Sequence, residues 1–373
     1  MNKDVIVIGG NHHNTLAVLR SLGEKGLKVK LIVISTDYKP YVCYSKYIER
    51  YLVINNEEDI FQSLYKLHAG PEKAIIIACA DGVASYLDLH RNDLICDFIL
   101  PCAKEEGRIT YLMNKDIMAR LAENMGIATP KSWIINNTSH MEIEGIEFPC
   151  IIKPLASANG SKSDISICDN LEQLRAFLKT CQCEELQIQK YISKEIEYQL
   201  IGCSLNGGED IIIPGASIIL RQPRNTNTGY LRYLPKNQFK FNEKACKDFL
   251  KATGYSGLFS MEFLRDKQGH DYFMEINFRN DGNSICVTAS GMNLPYIWYL
   301  ANTGQVYDSE LCYDDMKSVF VMPEFNDVAN VIYGRISLTQ WLKDIFTTNR
   351  FMEFSKHDQK PFWVYIYKKM FRL

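Results

Sequence analysis

Apolar positions change their period several times along the chain, and each change predicts an element. Residues 4–10 (DVIVIGG) form a short continuous apolar run ending in glycines, the pattern of a strand buried on both faces. Leu16, Leu19 and Leu22 then recur at helical spacing between Thr15 and Lys25, and Val29 to Ile34 returns to a buried strand. Strand, helix and strand in that order predict a right-handed parallel unit opening a doubly wound sheet. Ala74 to Ala80 and Phe98 to Pro101 add a third and a fourth strand, which closes this domain near residue 105. Met113 to Gly126 predicts a connecting helix, capped by Asn114 and stopped by Gly126.

Further on, the strands change character. Phe148 to Pro154 and Ile165 to Ile167 predict two strands around a small polar loop, Ala156 to Ser163, and Leu171 to Thr180 a helix. Glu185 to Ile192 predicts a strand that breaks into a charged turn, Ser193 to Tyr198, before the next strand at Gln199 to Cys203. Residues 211–221 read as one strand or a pair, Glu243 to Gly254 and Leu294 to Ala301 as helices. Ser260 to Phe263 and Asp271 to Gly282 alternate with period two around the turn Asp266 to His270, which predicts a hairpin. Glu275, Asn277 and Arg279 then share one face, Met274, Ile276 and Phe278 the other, and Glu262 comes alongside the polar row.

That row carries the strongest candidate chemistry. Two carboxylates and an amide oxygen make a hard, oxygen-only set of the kind that holds Mg²⁺ and leaves positions open for water and phosphate. Arg279 adds a cation suited to gripping a carboxylate or phosphate. An exposed hairpin with a solvated polar face would show the same alternation. Lys115 lies in the first turn of its helix, where it opposes the helix dipole unless it reaches an anion. Lys153 stands on an apolar strand and needs a counter-charge; the small residues after it could close backbone N–H groups on phosphate oxygens. Asp81 follows a strand, as a ligand residue would, or caps the helix after it. His12 and His13 either line a cleft at the strand ends or are solvated loop residues. Gly9 and Gly10 are not part of a GxGxxG fingerprint, and Asp37 is a weak ribose acid, so a dinucleotide site is not supported. The donor-rich loop 222–230, ending at Arg232, could close over a polar substrate.

Composition narrows the classes. The chain has 373 residues, 46% hydrophobic and 23% charged, enough for two or three domains with large cores. A formal charge of −2 provides no general field for nucleic acid or a membrane surface, so a small-molecule partner is expected. The 12 cysteines show no paired CxxC spacing, and with a start read as lacking a signal peptide they predict reduced thiols in the cytoplasm. No run approaches the ~18 apolar residues of a membrane span. The aromatic and basic stretch 362–373 reads as a final core element or an interfacial segment.

Taken in order, Asn114-Lys115, Ile152-Lys153-Pro154, Gln189-Lys190-Tyr191-Ile192 with Glu197, Met261-Glu262-Phe263 and Glu275 to Arg279 resemble the ATP-grasp superfamily, in the branch of carbamoyl phosphate synthetase, biotin carboxylase and D-aspartate ligase-like enzymes. The resemblance implies an α/β and α+β architecture. A pre-ATP-grasp doubly wound parallel sheet (1–110) would precede a two-lobed ATP-grasp fold (111–200 and 201–310), with 311–373 packed on the grasp. It implies that Lys115 and Lys153 contact the ATP phosphates, that the hinge Gln189 to Ile192 meets adenine through the backbone of Lys190 and Ile192, and that Glu197 binds ribose. Glu262, Glu275 and Asn277 would hold Mg²⁺ or Mn²⁺, and Arg279, or less favourably Arg221, would steady an acyl phosphate. The implied reaction joins a carboxylate to an amine with release of ADP; a nucleotide-binding regulatory protein without turnover is the alternative, and a homodimer is open. The chain departs from the family pattern in a phosphate loop with a single glycine and in Gln189 where relatives often have Glu.

Overall fold

The computed structural model describes residues 3–136, 145–154, 165–181, 183, 185–222 and 229–371. The expected phosphate loop, Ala156 to Ser163, and most of the loop 222–230 lie outside the described residues.

The first sheet is parallel throughout, in the order β3-β2-β1-β4-β5. It comprises β1 (Val5–Gly10), β2 (Val29–Ile34), β3 (Ile48–Ile54), β4 (Ala74–Ala78) and β5 (Phe98–Ile99). Helices α1 (His13–Gly23), α2 (Ile60–Leu67), α3 (Asp81–Leu89) and α4 (Arg91–Leu94) accompany it. Alternate residues of β1 enter two cores: Val5 and Val7 pack with Leu16 and Leu19 of α1, while Ile6 and Ile8 pack with Ile60 and Leu64 of α2. Burial on both faces is what produces the unbroken apolar run. In this sheet the strand that sequence periodicity missed, β3, lies at the edge; in IERYLVI Glu49 and Arg50 are exposed and Ile54 alone is buried, so no continuous run forms.

Two short helices, α5 (Arg108–Leu112) and α6 (Lys115–Asn124), lead out of this layer. The Asn114 side chain accepts from the N–H groups of Asp116 and Ile117, satisfying the free donors at the start of α6. Next comes an antiparallel sheet in the order β6-β9-β7-β8: β6 (Ser132–Asn136), β7 (Cys150–Pro154), β8 (Ser166–Cys168) and β9 (Glu185–Lys190), backed by α7 (Leu171–Thr180). Cys150, Ile152, Leu174, Leu186 and Ile188 form its core, which leaves Ile151 and Lys153 on the opposite face of β7.

The third sheet has eight strands, running β15-β14-β10-β12-β13-β16-β17 with β11 paired to β10. These are β10 (Lys194–Leu205), β11 (Asp210–Ile212), β12 (Gly215–Arg221), β13 (Tyr230–Pro235), β14 (Gly257–Asp266), β15 (Asp271–Asn277), β16 (Val319–Met322) and β17 (Arg350–Phe351). The helices are α8 (Glu243–Thr253), α9 (Ile285–Ser290), α10 (Leu294–Asn302), α11 (Glu324–Ile332), α12 (Leu338–Thr347) and α13 (Lys360–Phe371). One expectation is corrected: Ser193 to Tyr198 is not a turn. β10 starts at Lys194 and runs for 12 residues, with an irregularity between Lys194 and Ile196. Pairing on both sides, Glu197 with Leu264 and with Ile219, fixes the strand despite its charges. The third sheet shares a core with the first, where Ile297 and Trp298 of α10 pack with Val5 and Ile77, and the Trp298 indole N–H donates to the Ile76 carbonyl at 3.3 Å. Among the described residues no helix is long and apolar enough to cross a membrane.

Candidate active site

The β14–β15 hairpin sets Glu262 opposite Glu275 and Ser260 opposite Asn277. The register then shifts, because Phe263 pairs with Phe273 and leaves Met274 as an extra residue. Met274 therefore does not belong to the apolar face expected for it: Phe273, Ile276 and Phe278 fill the core. The bulge still aims Glu275 and Asn277 to the side of Glu262. A third strand extends the row, since Gln199 of β10 lies directly across from Glu262.

Hydrogen bonds converge on one Glu262 oxygen. The Gln199 amide nitrogen and the Asn277 Nδ2 both donate to Glu262 Oε1, each at 3.1 Å. Gln199 is oriented in turn by Asn283, whose Nδ2 donates to Gln199 Oε1 at 2.7 Å, and Asp281 Oδ1 accepts from the Asn283 N–H at 2.8 Å. Burial, then the nearby charges of Glu275 and Asp281, push the Glu262 carboxyl up to about 8. Two adjacent carboxylates in a half-buried position call for a cation. Glu262, Glu275 and the free Asn277 oxygen supply only three hard ligands, and among the described residues no group of three or more His, Cys, Asp or Glu side chains could hold a metal by itself. The set fits Mg²⁺ if phosphate and water oxygens complete the shell.

Two lysines approach this row from other elements. Lys115, at the start of α6, has its Nζ 3.4 Å from Glu275 Oε2. The helix is held over β15, where the Ile276 N–H points to Met118 Sδ at 3.2 Å. Lys153 of β7 donates to Gln189 Oε1 at 3.1 Å. Burial, with repulsion from Lys115, holds the Lys153 ammonium down at about 8, against the pull of Glu275. Gln189 thus serves as a side-chain partner of Lys153.

The remaining expected residues have definite partners. The Lys190 N–H donates to the Lys131 carbonyl at 2.8 Å and the Tyr191 N–H to the Pro149 carbonyl at 2.9 Å, so neither donor is open to a base. Lys190 Nζ pairs with Glu147 at 2.9 Å. Ile192 lies in the break between β9 and β10, and Glu197 is ion-paired with Lys194. Arg279 lies two residues beyond β15 and crosses to the first sheet: its Nε and one terminal nitrogen donate to Asp81 at 2.9 and 3.1 Å, the other to Asp281 at 3.2 Å. Burial works against its charge, but Asp281 and Asp81 hold it above its ordinary value. Arg221 is committed elsewhere, to Asp327 at 2.6 Å and Asp344 at 2.5 Å. Arg232 donates to Ser318 at 3.1 Å. Asp37 is bound by Lys368 at 2.6 Å. His13 is buried, not solvated.

Gln199, Asp281 and Asn283 escaped the sequence reading. Asp281 and Asn283 sit in the polar run after Arg279, whose composition was the available signal; Gln199 becomes visible only once β10 and β14 are in register.

A family model described as the ATP-binding domain of the carbamoyl-phosphate synthase L chain matches residues 114–299. The D-aspartate ligase of Enterococcus faecium is 23% identical over 77% of this chain and 74% of its own length. The formate-dependent phosphoribosylglycinamide formyltransferase of Bacteroides fragilis is 22% identical over 57% of this chain and 58% of its own length, so the chain spans little more than half of that relative. Among solved structures, an L-amino acid ligase from Bacillus licheniformis superposes with a TM-score of 0.63 at 16% identity, over 86% of this chain and 78% of that one. The biotin carboxylase domain of the Hydrogenobacter thermophilus 2-oxoglutarate carboxylase, in complex with MgADP, ADP and bicarbonate, gives 0.65 at 18% identity, over 86% of this chain and 74% of that one.

Proposed function

Because the chain belongs to the ATP-grasp superfamily, we propose that it is an ATP- and Mg²⁺-dependent ligase that joins a small carboxylic acid or amino acid to an amine and releases ADP. The reading rests on one observation: a two-carboxylate face, Glu262 and Glu275, met by Lys115 at 3.4 Å and neighboured by Lys153. Bound Mg²⁺ would neutralise charge on the phosphate oxygens there. Lys115 and Lys153 come from separate elements, so they can grip a phosphate from two sides, and the anion would relieve the repulsion between them. Gln199 and Asn277 hold one Glu262 oxygen, Oε1, which would leave the other for the ion. A substrate carboxylate would attack the γ-phosphate to give an acyl phosphate, and an amine would then displace inorganic phosphate. Arg279, held by Asp81 and Asp281, would steady the acyl phosphate from the side of the first sheet. Little covalent chemistry is asked of side chains; positioning and charge supply the rate.

The test is ADP release from MgATP with and without a mixture of the twenty common amino acids. Release stimulated by the mixture is expected. Tight nucleotide binding with no turnover under any mixture would refute the ligase reading in favour of a nucleotide-binding regulatory protein.

A further inference from the structure

A cavity of 590 Å³ opens beside the first sheet, between the loop after β1 and the C-terminal segment. Asn11, His12, His13, Tyr41, Glu353 and Tyr365 line it, with the exposed Lys369 at its edge. All of these residues lie outside the segment matched by the family model, Asn11 to Tyr41 before it and Glu353, Tyr365 and Lys369 after it.

Its floor carries two buried polar atoms to which, among the described residues, no nitrogen donates. Glu353 is 3% exposed and its Oε2 has no partner; His13 is 2% exposed and its Nε2 has none. His13 Nδ1 lies 3.4 Å from Glu353 Oε1. Burial holds the imidazole down at about 4, so it is neutral; with its proton directed at Glu353, Nε2 is a bare acceptor. Both open atoms therefore ask for a donor. The Glu324 and Glu353 carboxyls are hydrogen-bonded to each other and burial pushes both up, so the pair shares a proton; the negative charge left on it is ion-paired to no lysine or arginine side chain among the described residues. Arg20, whose charge acts on Glu353, spends its donors on the Asp358 carboxylate and on the carbonyls of Met352, Glu353 and Asp358. Tyr41 and Tyr365 flank the floor edge-to-face, ring centres 5.0 Å apart, and Tyr365 is stacked on Phe325 at 4.5 Å, which makes an aromatic wall for the methylene chain of a ligand. A hydroxyl would satisfy the acceptors and leave the charge uncompensated; an ammonium satisfies both. At the edge, Lys368 is committed to Asp37 and the Lys39 carbonyl, whereas Lys369 stands over the Tyr365 ring at 5.6 Å and can meet an anion.

The loop that forms this floor also borders the candidate active site. Asn14 donates to the Asn280 carbonyl at 2.9 Å, and Asn280 donates back to Asn14 Oδ1 at 2.5 Å, one residue from Arg279. Resting on the ligase reading above, we propose that this cavity is the amine-substrate pocket, taking a primary amine that carries an anionic group, its ammonium on Glu353 and His13 and its anion toward Lys369.

Calorimetry on the full chain tests this, with and without MgADP. Glycine, β-alanine, 4-aminobutyrate and 6-aminohexanoate form a length series; acetate, propionate, butyrate and hexanoate are the same acids without the amine. At least one amino acid should bind, with its amine-free counterpart weaker by about tenfold or more. Glu353→Gln should weaken that binding by at least about tenfold and leave MgADP affinity unchanged; Tyr365→Leu gives a second reading should Glu353→Gln fail to fold. The inference is overturned if no member of the series binds, if the amine-free acids bind as well, or if both variants bind as wild type does. Loss of MgADP binding by wild type would strike the nucleotide reading alone, since the series is also titrated without nucleotide.

Discussion

Replacing Glu275 by Gln separates the chemistry of the site from the stability of the fold. The side chain is 31% exposed and its described ion pair, with Lys115 at 3.4 Å, joins a partner 33% exposed. Pairs this accessible contribute about 0–1 kcal/mol, so the midpoint of thermal unfolding should move by no more than about 2 °C. The amide keeps the shape of the carboxylate, and the Glu262–Glu275 register is held by backbone bonds that the substitution does not touch. Turnover should behave differently. A single preorganised charge acting on a phosphoryl transfer is typically worth about 10²–10³ in rate, or about 3–4 kcal/mol, and Glu275 is one of only two carboxylates in the proposed metal set. ADP release should therefore fall at least about 100-fold at saturating ATP. A second signature follows from electrostatics: the Glu275 charge is, after burial, the largest influence raising the Glu262 carboxyl, so Glu262 should titrate lower in the variant. ADP release and thermal unfolding on the same preparation decide the matter. Wild-type turnover in Glu275→Gln would remove the metal assignment, and a collapsed melting curve would show that the residue belongs to the fold.

Two further outcomes follow from buried charge. Burial and the charge of Glu275 hold the Glu262 carboxyl well above the usual carboxylate range, and it must lose its proton to ligate a cation, so affinity for Mg²⁺ should rise with pH between 6 and 8; a flat profile over that range in calorimetric titrations would contradict this. Arg20→Met should cost about 3–5 kcal/mol in urea denaturation, because it removes the counter-charge of Asp358, itself 3% exposed, and strands three carbonyls, those of Met352, Glu353 and Asp358; a loss under 1 kcal/mol would show that the pair contributes little.

What the sequence revealed follows from the range of the forces that leave a periodic trace. Doubly buried strands such as β1 and β4 write their environment into consecutive apolar residues, and the β14–β15 hairpin writes its exposed face into alternate ones, so both were legible, as was the Asn114 cap. β3 was not, because an edge strand with Glu49 and Arg50 in solvent lacks the run that a central strand needs. The charged start of β10 was hidden for a related reason: its conformation is imposed by ladders on both sides, and tertiary pairing overrode local polarity. The bulge at Met274 shifts one residue of an otherwise regular alternation, and the row of polar side chains survived it.

Partners far apart in sequence leave no such trace. Arg279 looked like an available cation because nothing nearby in the chain before it announces Asp81, 198 residues away, as its bidentate acceptor. Arg221 looked similar until Asp327 and Asp344 closed on it. These two arginines now mean different things. Arg221 joins β12 to α11 and α12 and lies outside the catalytic argument. Arg279 joins the third sheet to α3 of the first, and its neighbour Asn280 binds Asn14 at the start of α1. The two contacts tie the proposed metal row to the β1–α1 junction that borders the Glu353 cavity. On the proposed reading a ligand in either place would act on a shared segment, Gly10 to Asn14 at the β1–α1 junction, and the distance between an activated acid and an attacking amine would be set by how firmly Asp81 and Asn14 hold the segment from Arg279 to Asp281. Rigid placement of both ends is what a reaction driven by positioning requires.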